Sequence, residues 1–316
     1  MSANETLQSP SLLEAPVSRR LERKFFRHAK ERVIESVLLL AGLTAVATTV
    51  AIVGILLYES AGFFEHVSIA EFLTSTVWTP LFTNPQYGIL PLVSGTLTVA
   101  FVALAVAIPM GTIIAIYLSE FAPHWVREIV KPFLELLEAV PTVVFGYFAL
   151  LFVTPLLQKL YPDLPGFNML APGLVIGIFI IPYISSVAED AMRAVPMAMR
   201  EGSYAMGATR FQTAVRIITP AAMSGIVAAY ILAISRAIGE TMVVAIAAGL
   251  QPTFTFNPLE PAATITAYIV QVAMGDLPHG SIGYQSIFAA GLVLVLMTLG
   301  FNVVGHYLRN RFRETY

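Results

Sequence analysis

Long apolar runs alternate with short polar segments along this chain, and the runs have the length of membrane spans. Six can be marked: about Ser36–Leu57, Ile89–Tyr117, Val130–Leu157, Ala171–Ala188, Ala221–Gly249 and Ile282–Leu308. About 20 helical residues cross the hydrocarbon core of a bilayer, so each run predicts one transmembrane helix. The first follows a basic cluster, as in a signal peptide, but it exceeds the roughly 7–15 apolar residues of such a segment and predicts a span instead. Pro141 interrupts the third run, whose second half alone is strongly apolar, so this span is expected to begin along the membrane surface. Gly173 and Gly177 form a GxxxG in the fourth, read as helix packing.

Composition agrees: 57% of the 316 residues are hydrophobic and 12% charged, values of an all-α membrane protein. Six spans put both termini and every second loop on one side. Sixteen of the eighteen lysines and arginines fall there, with Lys159 opposite and Arg236 within the membrane. The positive-inside rule makes that side cytosolic. The expected order is a basic cytosolic tail (1–32), a first helix and external loop (33–88), a core of five further spans (89–308) and a short cytosolic end (309–316). Residues 58–88 and 250–282 carry acids and prolines but no lysine or arginine, and read as external loops.

The function classes excluded are several. A net charge of −2 with no basic block beyond the tail gives no nucleic-acid partner. Five scattered histidines and no cysteine leave no metal cluster and no thiol nucleophile. There is no GxxxxGK[ST], indeed no Gly-Lys pair, so this chain cannot cradle a nucleotide in the P-loop manner. No cofactor is expected on it, and no catalytic site.

The polar interlude between the fourth and fifth runs, 196–220, is the most ordered cytosolic segment by its signals. A helix begun at Pro196 breaks at Gly207, and Thr209 restarts it with the capping-box partner Gln212. Phe211, Val215 and Ile218 then share an apolar face, and Thr219-Pro220 reads as the cap and first residue of the next span. With Arg200, Arg210 and Arg216 beside Glu201, the segment fits either a protein dock or an amphipathic linker on the headgroups.

Charge inside the membrane marks the second candidate region. Arg236 and Glu240 lie four apart in the fifth run, a spacing that puts them on one helical face. Each is costly there, so both face a bundle interior or a watery path. They are either a self-neutralising pair or part of a transport path. Glu138, with Glu135, is either a solvated acid near the cytosol or a path residue. Thr142 follows the Pro141 break, where a half-helix directs N–H donors at an anion or merely kinks. Ser185, beside Pro182, completes the candidate path.

Glu201, Gly202, Ser203, Gly207, Ala208 and Pro220 resemble the EAA loop of ABC importer permeases, with Glu-Gly-Ser where that family has Glu-Ala-Ala. Glu138-Ala-Val-Pro-Thr-Val-Val-Phe-Gly146 and Arg236-Ala-Ile-Gly-Glu-Thr-Met242 are similar to motifs of the phosphate-specific permease pair, the second most like its PstC member. The resemblance runs from about Ile89 to His306. It implies a type I (MetI-like) importer permease of the inner membrane that is no enzyme itself. It also implies a second permease of the PstA type, two ATPase subunits that bind ATP and Mg, and an external phosphate-binding protein. Sulfate, molybdate or tungstate is the alternative cargo, and a stand-alone secondary anion carrier the alternative class.

Overall fold

In a computed structural model, residues 17–80, 82, 84–275, 277–278 and 280–311 are described, with side chains from residue 30 onward. Residues 1–16, Asp276 and Arg313 therefore lie outside the described residues, and with them half of the expected cytosolic tail. The chain divides into two compact units, residues 1–55 and 56–316. Helix α1 (Val17–Phe64) runs through the first unit into the second. In the first unit its apolar side chains are exposed, and the hydroxyls of Thr44, Thr48 and Thr49 donate to carbonyls of the preceding turn. That satisfies polar groups where no water is present.

The second unit is built on α3 (Leu90–Phe121) and α6 (Leu170–Arg193), which pack along their lengths. Gly173 and Gly177 make this contact, as their spacing predicts. A Cβ at Gly177 would lie 2.7 Å from the carbonyl oxygen of Ala103. Between them come α4 (His124–Ala139) and α5 (Thr142–Gln158), bent 88° at Pro141, so the third span does turn sharply where the sequence places its break. After α6 follow α7 (Met197–Ala205), α8 (Arg210–Ala221) and α9 (Met223–Ile238), the last two bent by 73°. Counting each bent pair once, the described residues hold six helices long and apolar enough to cross a membrane.

Three π-helical turns, Tyr117–Phe121, Ala149–Val153 and Ala214–Ile218, share one cause. Each lies just ahead of a proline: Pro123, Pro155 and Pro220. The N–H before the proline reaches back five residues, from Ala122 to Tyr117, Thr154 to Ala149 and Thr219 to Ala214. Widening the turn relieves the clash between the proline ring and the preceding turn. At the two Thr-Pro steps the threonine hydroxyl donates to the same carbonyl. Thr219-Pro220 therefore does not open the fifth span as expected. Pro220 sits within α8, and the new helix begins at Met223.

Two segments read as external loops contain packed structure. α2 (Ile69–Thr74) and the Trp78–Tyr87 bridge hold an aromatic cluster of Phe63, Phe72, Trp78, Tyr87 and Tyr268. In 250–282, α11 (Ile265–Ala273) is a buried helix, capped by Thr264 and tied to α3 where Thr96 Oγ1 accepts the Ile265 N–H at 3.0 Å. α12 (Ile282–Arg311) closes the chain.

Candidate functional site

Pro196 caps α7, and Gly207, at φ +81°, turns the chain into α8 as the sequence predicts. The capping box is present in both directions: Thr209 Oγ1 accepts from the Gln212 N–H at 3.3 Å, and Gln212 Oε1 accepts from the Thr209 N–H at 3.0 Å. A hydroxyl bond of 2.9 Å between Ser203 and Thr213 clasps the two helices. Glu201, Gly202 and Gly207 are exposed on this hairpin, with Ala208 half-buried and Pro220 exposed at its far end. The expected apolar face is split. Ile218 is buried, whereas Phe211 and Val215 stand out beside Met206, which is 89% exposed. The hairpin thus presents apolar side chains outward.

Arg200 is not part of that free surface. It is withdrawn into a nearly buried pair with Glu120 at the end of α3, at 2.9 Å, and donates to the carbonyls of Met192 and Val195. This bolts α7 to the membrane body. A second ion cluster lies nearby: Glu189, fully buried at the end of α6, meets Arg127 at 3.0 Å, Lys131 at 3.1 Å and Arg193 at 3.6 Å. Neither acid stood out in the sequence. Their signal was a carboxylate within about a turn of the end of a long apolar helix.

α4 is held by its polar face. Arg127 and Lys131 reach α6, while Trp125, Ile129, Phe133 and Leu136 are exposed on the opposite side. Glu138, in its last turn, is half-buried and lies close enough to Arg236 to interact with it electrostatically. Thr142, half-buried, is the first residue of α5.

Arg236 and Glu240 do not share one helical face as their spacing predicts. α9 ends at Ile238, the chain bends at Gly239 to Thr241, and α10 (Met242–Ala247) restarts it. Glu240, 4% exposed, turns its carboxylate to the Val243 N–H at 3.5 Å, and its carbonyl accepts the Thr266 hydroxyl of α11 at 2.7 Å. It anchors the break. Arg236 instead lies over aromatic rings of α6, 4.9 Å from the centroid of Phe179 and 5.7 Å from that of Tyr183. Its Nε is buried without a hydrogen-bond partner. Ser185 is fully buried, and its hydroxyl donates to Pro182 O at 3.1 Å within α6. The structure therefore brings Glu138 toward Arg236 and gives Ser185 and Glu240 hydrogen-bond partners within the chain.

A multi-pass helical membrane body with an ordered polar hairpin and a cation within its bundle defines a transport subunit. The chain belongs to the family of binding-protein-dependent transport system inner membrane components, which it matches over residues 107–314. It is similar to the probable ABC transporter permease protein YqgH of Bacillus subtilis, 36% identical over 78% of this chain and 79% of that one. It is also similar to the phosphate transport system permease protein PstC of Mesorhizobium japonicum, 29% identical over 84% and 87%, and to PstC 1 of Mycobacterium tuberculosis, 32% over 78% and 83%. Among solved structures, a bacterial ABC transporter involved in alginate import superimposes with a TM-score of 0.64, at 17% identity, over 92% of this chain and all of that one. The methionine transporter MetNI superimposes with 0.53, at 17% identity, over 72% and 95%. The fold is that of a type I ABC importer permease, and the chain is a permease subunit rather than an enzyme. A partner permease, an ATPase and an external binding protein complete such an importer.

Proposed function

We propose that this chain is the PstC-type permease of an ATP-driven phosphate importer, forming the anion path with a PstA-type permease. The observation that carries the reading is Arg236: a guanidinium in the bundle that, among the described residues, has no carboxylate in ion-pair contact and a buried Nε–H without an acceptor. A charge so placed costs about 2.5–3.5 kcal/mol to insert, and marks an ion pathway. Guanidinium offers a fork of donors to a tetrahedral oxyanion. Glu138, nearby, can accept a hydrogen bond from protonated phosphate, which sulfate lacks at neutral pH. The PstC relatives support the choice of anion.

Energy comes from two ATPase subunits that bind ATP and Mg and seat on the Glu201–Pro220 hairpin, and an external phosphate-binding protein delivers the cargo. Both chain ends are placed in the cytosol. The cation asymmetry supports this for both ends, and the antiparallel packing of α12 on α9 supports it for the C-terminal one. Asn302 meets Ser235, and Gly305 lies against Ile231, so the last turns of α12 run toward the hairpin end.

Arg236→Gln is expected to lower phosphate uptake by the assembled transporter about tenfold or more, the effect of losing a charge-assisted hydrogen bond of about 1.5–3 kcal/mol. Uptake equal to the parent's would reject the path. The hairpin has its own test. Gly207→Val forces a β-branched residue into φ +81°, a strain of about 1–3 kcal/mol, where no neighbouring atom hinders the side chain. Insertion should persist while uptake and stimulated ATP hydrolysis fall together. Normal coupling in this variant would remove the docking role.

A further inference from the structure

We propose that Phe179 and Tyr183 are positioning residues for Arg236, holding its guanidinium un-neutralised in the membrane so that its N–H groups remain for the anion. The inference rests on Arg236 lining the path and adds what sets its pose. A membrane cation is ordinarily stabilised by a carboxylate, but an anion in transit would then have to break that pair. Here the stabilisation comes from ring faces. Phe179 and Tyr183 lie four apart on α6, so both rings face one side. Arg236 reaches them from α9, its central carbon 4.9 Å and 5.7 Å from the two centroids.

The platform is fixed rather than adaptable. Phe179 is 1% exposed and stacks on Phe145 of α5, centroids 5.4 Å apart at 23°. A ring attracts the face of a guanidinium through its quadrupole and takes none of its hydrogen-bond donors. The unpartnered Nε–H is the expected result: a cation held in place without an acceptor. Glu138 contributes field, lying close enough to act on Arg236 electrostatically. Arg236 of α9 thus lies on rings of α6 that α5 backs through Phe145.

The test uses the assembled transporter in proteoliposomes with phosphate-loaded binding protein, reading phosphate uptake and stimulated ATP hydrolysis together. Tyr183 is half-buried and carries the test, because Phe179→Leu changes a core residue. Tyr183→Leu should lower uptake about three- to thirtyfold, the fold-change of a lost cation–π contact. Hydrolysis should stay within about twofold, and Tyr183→Phe, which keeps the ring, should restore uptake. Parent-like uptake by Tyr183→Leu, with Arg236→Gln inactive, would overturn this inference and leave the path intact. Hydrolysis falling in step with uptake would mean a structural role and overturn it as well. Parent-like uptake by Arg236→Gln would instead sink the path reading itself.

Discussion

Glu189→Gln is expected to loosen α4 from the body of the permease, with a loss of about 1.5–3 kcal/mol, because three partly exposed cations lose the fully buried carboxylate that they share. Glu189 has no exposed surface, and its carboxylate meets Arg127, Lys131 and Arg193. Two of these belong to α4, a helix that buries none of its own side chains. Apolar packing therefore contributes little to its hold on α6, and the ion cluster carries the attachment. Asp190 offers a comparison within the same cluster. It also meets Lys131, at 2.8 Å, but is 65% exposed, so solvent screens it. Asp190→Asn should change stability by about 1 kcal/mol or less. The thermal unfolding midpoint of the purified protein in detergent separates the two. Equal midpoints for Glu189→Gln and the parent would show that α4 is held in some other way.

Why that cluster escaped the sequence is a matter of distance. Lys131 and Glu189 are 58 residues apart, and no local pattern joins them. Features set by neighbours in the chain were legible. The Gly207 turn, the Thr209–Gln212 box and the bend at Pro141 each depend on a few consecutive residues. The break after Ile238 was not, because Arg236-Ala-Ile-Gly-Glu-Thr-Met242 continues an apolar run with one glycine and no proline. Four-residue spacing then suggested a shared face that the bend dissolves. Arg236 itself was visible as a charge in lipid, but Phe179 and Tyr183 look like any aromatic residues of a spanning helix. α11 was hidden for another reason. Its nine residues are too few to span, and its helix is stabilised by contacts with α3, α10 and α12 rather than by its own pattern.

Those contacts predict that the smallest possible enlargement at Gly95 has a large effect. A Cβ added there would fall against the carbonyl oxygen of Ala263, well inside van der Waals distance, with the side chain of Ala262 also in reach. The obstacle is backbone, so no rotamer change relieves it. Nor can the strand of chain step aside freely: Ala263 N–H donates to Gln251 O at 2.8 Å, and the next amide but one, Ile265, donates to Thr96 beside Gly95. Gly95→Ala is therefore expected to lower the detergent unfolding midpoint by the equivalent of about 1–3 kcal/mol, and Gly95→Leu by more. Uptake should fall too, since α11 carries Thr266, whose hydroxyl holds the Glu240 carbonyl at the break four residues beyond Arg236. Gly202→Ala is the matched control. It adds the same methyl to α7 with nothing within 4 Å, and should gain up to about 1 kcal/mol of helix propensity. If Gly95→Ala unfolds at the parent's midpoint, α11 is not seated against α3 as described.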